Sequence, residues 1–403
     1  MRILFTTFVG LGHFFPLVPL AWAARAAGHD VLFVSAGPPV EACARAGLPA
    51  VDAAPGLDLM QMMRGRREAW ARQGLPEGAS PFAQDPLSRP EWRPRIAARL
   101  AEVGGRMLDG TVDAARAWRP DLVVHTPLEA AGPVAAAILG VPRVLHGLGP
   151  AALRPGARGG VQDMASLISE ALRPAAERHG WAGPVPAPAA AVDICPPSMR
   201  PEGGAADGVA WTARYIPYNG GGALPGWLLE SAPRPRLCLT LGTVLPGVAG
   251  VASGPLGAVL QAVRDLPVDV VLALGGADAS ALGELPSNVF AIGWLPLSAL
   301  VPTCAAVVHH GGAGTTMNAL VAGVPQLVLP HTADQPENAA AVEARGAGAM
   351  LRLDEATPQA VSERLHRLLE DPGCREAARQ VSREIAALPA PADLVPRLAD
   401  LVA

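Results

Sequence analysis

The chain has 403 residues, half of them hydrophobic. That exceeds what one core usually fills, so two domains are expected. Its 32 basic and 36 acidic residues leave a net charge of −4, which excludes the broad basic field that holds nucleic acid or an anionic membrane surface, and the absence of any lysine excludes a Walker P-loop and a Schiff-base lysine.

In chain order, Arg2–Thr7 reads as a strand, Pro16–Ala27 as a helix and Asp30–Ser35 as a second strand. The apolar N-terminus is therefore a βαβ start rather than an export signal. Gly10, Gly12, His13, Pro16 and Pro19 break the run, and Arg25, Gly28, His29 and Asp30 follow it. No later stretch reaches the length of a charge-free membrane span, so no integral membrane segment is expected. The loop Gly10-Leu11-Gly12-His13-Phe14-Phe15-Pro16 sits where a dinucleotide fingerprint would. It is not one, because Phe15 takes the third glycine position and the second strand ends in Ser35 instead of an acidic residue. What remains is His13 at the carboxyl end of strand one, where open sheets bind ligands. Such a histidine either takes a proton from a hydroxyl near neutral pH or caps a helix start.

From about Gly56 to Arg95 the alternation stops, and Met60, Met62, Met63, Trp70, Phe82 and Trp92 mix with arginines and prolines. Met60, Met63, Trp70, Phe82 and Trp92 suit a flap over a flat apolar acceptor, ordinary loop packing being the alternative for each. Strands resume at Asp121–His125 and Arg143–His146 around a helix, which implies a parallel sheet with right-handed crossovers. His146, at a strand end near the cleft, is a further acceptor-side candidate.

Tyr215-Ile216-Pro217-Tyr218-Asn219-Gly220-Gly221-Gly222 has the composition of a linker, and the pattern then restarts. Arg236–Leu241, Asp269–Leu274, Val289–Ile292, Ala305–His309 and Gln326–Pro330 form a second series of strands, and Pro391–Ala403 reads as a short terminal helix. The expected fold class is α/β, two open parallel sheets facing one cleft. The divisions are a domain at 1–214, a linker at 215–225, a second domain at 226–385 and a terminal segment at 386–403. In the second domain, His309-His310-Gly311-Gly312-Ala313-Gly314-Thr315 joins an apolar strand to a helix that ends at Gly323. Strand, glycine turn and helix start coincide there. Unpaired N–H groups and the helix dipole attract an anion at such a place, glycine lets phosphate oxygens approach, and a histidine adds a donor. A tight turn with a structural histidine is the alternative. The cysteines Cys43, Cys195, Cys238, Cys304 and Cys374 are odd in number and far apart, as reduced thiols of a cytoplasmic protein would be.

Taken in order, these markers resemble the GT-B glycosyltransferases of family 1, especially the bacterial enzymes that attach deoxysugars to polyketide and other natural-product aglycones. They are the Gly12-His13 loop ending in Pro16, the Tyr215–Asn219 linker, Leu241-Gly242-Thr243, Gly293-Trp294-Leu295-Pro296, the His310 loop, and Pro330 through Asp334-Gln335 to Asn338, spread over nearly the whole chain. The resemblance implies two facing Rossmann-like domains, with acceptor in the first, nucleotide sugar in the second, and the terminal helix crossing back onto the first. It implies that Trp294 stacks on the nucleobase and that the Leu295 backbone pairs with the base edge. His310 would donate to the diphosphate, Gly312, Gly314 and Thr315 would add N–H or hydroxyl groups, and Gly12 and Thr243 would close the donor site. Asp334 and Gln335 would take the sugar hydroxyls, and His13 would be the general base of a reaction that inverts the anomeric carbon.

No Asp-any-Asp pair occurs, so no metal is expected, and no cofactor beyond the nucleotide-sugar substrate. Two positions depart from the wider family. Asn318 stands where some relatives carry a glutamate that grips both ribose hydroxyls, which favours a dTDP carrier over UDP. Thr126 stands where an acidic residue often holds the catalytic histidine; Glu129 either takes over that role or caps a helix, or the base works without a carboxylate. The leading expectation is an inverting, metal-independent transferase moving a deoxyhexose from dTDP to an apolar aglycone. A UDP-sugar hydrolase or epimerase and a non-catalytic activator partner are the alternatives. The Met60–Trp92 stretch opposes the first and the intact donor loop opposes the second. A homodimer is left open.

Overall fold

The structure is a computed structural model that describes residues 1–62, 93–150, 167–200, 210–242, 255–275 and 279–403. Two all-parallel sheets organise it. The first has the order β3-β2-β1-β4-β5-β6-β7, built from β1 (Arg2–Thr6), β2 (Asp30–Ser35), β3 (Ala50–Asp52), β4 (Leu122–His125), β5 (Arg143–His146), β6 (Ala190–Asp193) and β7 (Ala210–Thr212). The second has the order β10-β9-β8-β11-β12-β13, built from β8 (Arg236–Thr240), β9 (Asp269–Ala273), β10 (Val289–Ile292), β11 (Ala306–His309), β12 (Gln326–Val328) and β13 (Gly348–Met350). The main helices are α1 (Val18–Ala26), α2 (Pro38–Arg45), α3 (Arg93–Trp118), α4 (Ala131–Leu139), α5 (Leu256–Val263), α6 (Ala313–Ala322), α7 (Gln335–Ala344), α8 (Pro358–Glu370), α9 (Pro372–Ala387) and α10 (Pro391–Asp400).

The central strands are apolar on both faces because helices cover both faces. In β1, Ile3 and Phe5 join a core with Leu20, Ala21 and Ala24 of α1, whereas Leu4 between them packs with Met107 and Leu108 of α3 and Val134 of α4. In β8, Leu237 and Leu239 meet Val259 of α5 and Leu365 of α8, while Cys238 faces Ala319 of α6. The alternation is the period of two that a strand imposes. In each sheet the strand order reverses once, between β1 and β4 and between β8 and β11. Loops that diverge from the carboxyl ends at such a reversal leave a crevice, and that is where doubly wound sheets bind ligands.

Four short strands, β3, β6, β7 and β13, and the long helix α3 were not expected from the sequence. The strands run three or four residues and are rich in alanine or glycine, so they carry little periodic signal. Helix α3 holds Gly104, Gly105 and Gly110, poor helix formers in isolation. Packing explains Gly110: a Cβ there would collide with the Ala53 carbonyl.

One buried cluster runs between the two sheets' domains. Met317 and Leu320 of α6 and Ala339 of α7 belong to the same buried cluster as Phe5, Phe14 and Val144 of the first sheet's domain. Helix α10 returns to the first domain and packs on α1 through Leu394, Val395 and Leu398. The Arg397 guanidinium lies 4.3 Å over the Trp211 ring, and the Arg214 N–H donates to the Pro389 carbonyl. No described helix is long and apolar enough to cross a membrane.

Candidate functional site

The crevice of the first sheet holds His13. Gly10 is extended, and a helical turn, Leu11–Phe14, follows it at once and sets His13 beside the ends of β1 and β4. The half-buried imidazole lies 5.3 Å from the Phe8 ring, with Nδ1 3.4 Å from the Thr126 hydroxyl oxygen. The Phe8 N–H reaches that same oxygen at 3.4 Å. Burial lowers the His13 pKa to about 4, so near pH 7 the ring is neutral and has a free lone pair.

Glu129 does turn inward, but not toward His13. Its Oε2 accepts from the Thr6 hydroxyl at 2.6 Å, and its carboxylate accepts from the Gly132 N–H at 3.0 and 3.2 Å. It therefore serves the start of α4, and burial raises its pKa. Any side chain at residue 132 would overlap Thr6 Oγ1. Beneath this layer His125 is fixed as a neutral ring: Nδ1 pairs with the Thr126 carbonyl at 3.2 Å, and Nε2 accepts from Arg143 at 2.6 Å. His146 is buried, and its Nδ1 donates to the Gly147 carbonyl at 2.7 Å. It lines a small cavity with Pro16, Leu20, Tyr215 and Leu394, under the linker and α10. Met60 lies on a short helical turn and is half-buried. Met63, Trp70, Phe82, Trp92 and Thr243 lie outside the described residues. Gly12 is exposed, with open space around its Cα.

The crevice of the second sheet holds the His310 loop. Gly311 has φ +91, where a side chain would meet Val328 and the Gln335 backbone. Its N–H donates to His309 Nδ1 at 3.0 Å and its carbonyl accepts from Asn338 Nδ2 at 2.9 Å. His309 in turn donates from Nε2 to Gln326 Oε1 at 2.8 Å, so its tautomer is set. Gly312 is the N-cap of α6, and the helix's own bonds begin with the Thr316 N–H to the Gly312 carbonyl. Among the described residues no side chain caps this end, and no acidic residue occupies its first turn. The N–H groups of Ala313, Gly314 and Thr315 are thus the unpaired donors that a helix start leaves for an anion.

The His310 ring stands in a slot between two glycines. A Cβ on Gly242 would fall 2.5 Å from its Cε1, and one on Gly312 would fall 2.5 Å from its Nε2. Burial, helped by neighbouring His309 and His331, lowers its pKa to about 3, so it offers a neutral N–H rather than a full charge. On the next loop, Asp334 Oδ2 accepts from Asn338 Nδ2 at 2.9 Å, and burial raises the Asp334 pKa. Gln335 is half committed: its Oε1 accepts from the N–H groups of His331 and Thr332 at 2.8 and 3.1 Å, which leaves only its amide nitrogen for a sugar. Ala333 beside them has φ 59, a left-handed conformation that costs a non-glycine residue on the order of 1 kcal/mol.

Trp294 is 40% exposed and meets Phe15 edge-on at 6.1 Å, with linker Gly220 against its ring. The Leu295 side chain is buried with Leu228, Leu300 and Val301, and Asn219 of the linker accepts from the Ser298 N–H at 3.0 Å. Both contacts anchor this loop. Asn318 is buried, and its amide nitrogen donates to the Gly314 carbonyl at 2.7 Å and reaches the Tyr215 hydroxyl at 3.3 Å. It thereby ties α6 to the linker. Two contacts close the cleft between the sheets: Phe15, two residues past His13, touches Trp294, and Gly149, after β5, lies against Ala313 at the start of α6. His13 and the His310 loop accordingly share one cleft. His309, Asn338 and Gly242 were not expected in these roles, although all three stand within the motifs read from the sequence, and Asn338 follows Asp334 at a four-residue spacing on one helical face.

Five imidazoles, His13, His125, His146, His309 and His310, have pKa values lowered by burial to between about 3 and about 4. The unfolded chain binds protons at these groups below about pH 6.5 while the native state does not, so stability is complete above 6.5 and is lost as pH falls toward 4. The raised pKa values of Glu129 and Asp334 act in the opposite sense, but they are two groups against five. The melting temperature is expected to be level from pH 8 to 7 and to fall steadily below pH 6. A flat profile down to pH 5 would show that these rings titrate as if exposed.

The family described as erythromycin biosynthesis protein CIII-like matches through its N-terminal domain over residues 22–242 and its C-terminal domain over residues 257–401. The elloramycin glycosyltransferase ElmGT of Streptomyces olivaceus is 41% identical over 99% of this chain and 97% of its own length. The crystal structure of the glycosyltransferase SnogD from Streptomyces nogalater superposes with a TM-score of 0.80 at 39% identity, covering 100% of this chain and 99% of that one. The glycosyltransferase SsfS6 of Streptomyces sp. SF2575, solved with thymidine diphosphate, gives a TM-score of 0.78 at 32% identity over 99% of both chains.

Proposed function

The chain belongs to the EryCIII-like glycosyltransferases, family 1 deoxysugar transferases of GT-B fold from natural-product biosynthesis, and from that premise we propose an inverting transfer of a deoxyhexose from dTDP to an apolar aglycone, with His13 as base. The observation that carries this reading is the shared cleft: a neutral imidazole on one wall and an uncapped helix start with a second neutral imidazole on the other.

The acceptor hydroxyl gives its proton to the free nitrogen of His13 as its oxygen attacks the anomeric carbon. On the opposite side of that carbon, the bond to the diphosphate oxygen breaks and the electron pair leaves with the diphosphate. The developing charge meets the N–H groups at the start of α6 and the His310 ring. Each such donor in a dry cleft contributes about 2.7–4 kcal/mol to the transition state, so three or four supply a large rate effect without a cation. Trp294 offers its exposed ring to the base. Asp334, holding one oxygen toward Asn338, keeps its other oxygen for a sugar hydroxyl.

Two points support dTDP. The position where some relatives have a ribose-gripping glutamate is Asn318, and its amide nitrogen is spent on Gly314 and Tyr215. SsfS6, 32% identical over nearly its full length, was solved with thymidine diphosphate. Thermal shift with dTDP and UDP across a concentration series tests the carrier. A ligand at 100 times its Kd stabilises by about 2.7 kcal/mol, so dTDP is expected to raise the melting temperature at lower concentration than UDP. Equal shifts at equal concentrations would leave the deoxyribose preference without support.

A further inference from the structure

We propose that Asn338 is a positioning residue that makes the sugar subsite and the diphosphate subsite one rigid unit, so that the donor is recognised as an intact nucleotide sugar. This rests on the donor-site reading above. Asn338 is fully buried, and its amide nitrogen stands 2.9 Å from both the Gly311 carbonyl and Asp334 Oδ2. One amide group has two N–H bonds, and this geometry uses both. The first partner belongs to the loop after β11 and the second to the start of α7, after β12; β11 and β12 are adjacent strands. A single side chain therefore spans neighbouring crevice loops just beyond the backbone bond from the Leu329 N–H to the His309 carbonyl, which joins the ends of their strands.

Each bond has a distinct consequence. Gly311 is held on both sides, by His309 at its N–H and by Asn338 at its carbonyl, and this fixes the left-handed turn that precedes the donors at the start of α6. At Asp334 the bond engages one carboxylate oxygen, Oδ2, and so leaves the other for a sugar hydroxyl. It also offsets the burial that raises the Asp334 pKa, since a hydrogen bond to the charged form favours that form. A mere packing residue at this place would affect stability; a clamp of this kind also affects how sugar and diphosphate binding depend on each other.

The test uses calorimetric Kd values for dTDP and for dTDP-glucose, whose hydroxyls offer Asp334 a donor. They are measured in the full chain and in Asn338→Ala, Asp334→Ala and the double variant. Asn338→Ser, small and polar but too short to bridge, stands in if the alanine variant does not fold. Asn338→Ala is expected to weaken dTDP by a few-fold and dTDP-glucose by roughly tenfold more, the scale of a lost bond to a charged group. In the Asp334→Ala background that extra loss should vanish, because there is no carboxylate left to position. If Asn338→Ala weakens both ligands equally, or the extra loss persists without Asp334, the clamp is refuted while the donor-site reading stands. If Asp334→Ala leaves dTDP-glucose affinity untouched, both fail together.

Discussion

His13→Ala is expected to lower the transfer rate by about 10²–10⁴-fold, the range a positioned general base supplies, while dTDP affinity changes little. The separation follows from the fold. His13 belongs to the crevice of the first sheet, whereas the groups assigned to the diphosphate belong to the second. Loss of transfer with intact nucleotide binding is thus the signature of a base, and unchanged turnover removes His13 from the mechanism. Its neighbour refines the expectation. With a hydroxyl beside Nδ1 in place of a carboxylate, nothing anionic among the described residues lies within hydrogen-bond reach to favour the imidazolium, and burial holds the pKa to about 4. The acid limb of kcat/KM from this group should therefore lie well below pH 6. Thr126→Asp would place a negative charge beside the ring, raise its pKa and move that limb to higher pH. A limb that stays in place would separate Thr126 from the titration of His13.

The central strands were legible because a parallel strand covered on both faces must be a continuous apolar run, as in Leu122–His125 or Ala306–His309. The outer strands were not. Gly348–Met350 is a strand because it pairs with β12, and nothing in three small residues announces that. Likewise α3 holds Gly110 because Ala53, far off in the chain, comes too close for a side chain. In the site, side chains such as His13, Trp294 and His310 were visible because their loops follow recognisable strands. Their partners were not visible, since hydrogen bonds are chosen in three dimensions. Glu129 had two offers, a distant histidine and the nearer Thr6 and Gly132, and local geometry decided. Gln335 turned its carbonyl onto its own loop for the same reason: two unpaired N–H groups lay within reach.

His310→Ala is expected to lower kcat by about 10²–10³-fold, the cost of removing one donor aimed at developing charge. Because the ring is neutral, with a pKa near 3, its bond to a ground-state diphosphate is modest. It strengthens as the anomeric bond breaks and charge collects on the leaving oxygen, so kcat should suffer more than KM. The slot that holds the ring gives an independent route to the same deficit. Gly242 has φ +70, and its Cα faces the imidazole so closely that a methyl would lie 2.5 Å from Cε1. Gly242→Ala must displace the ring or strain the turn, and it should reproduce most of the His310→Ala loss although no functional group has been removed. Combined in one chain, the two substitutions should cost little more than His310→Ala alone, because both act on one imidazole. Full additivity would mean that Gly242 acts on the donor site by some route other than the ring.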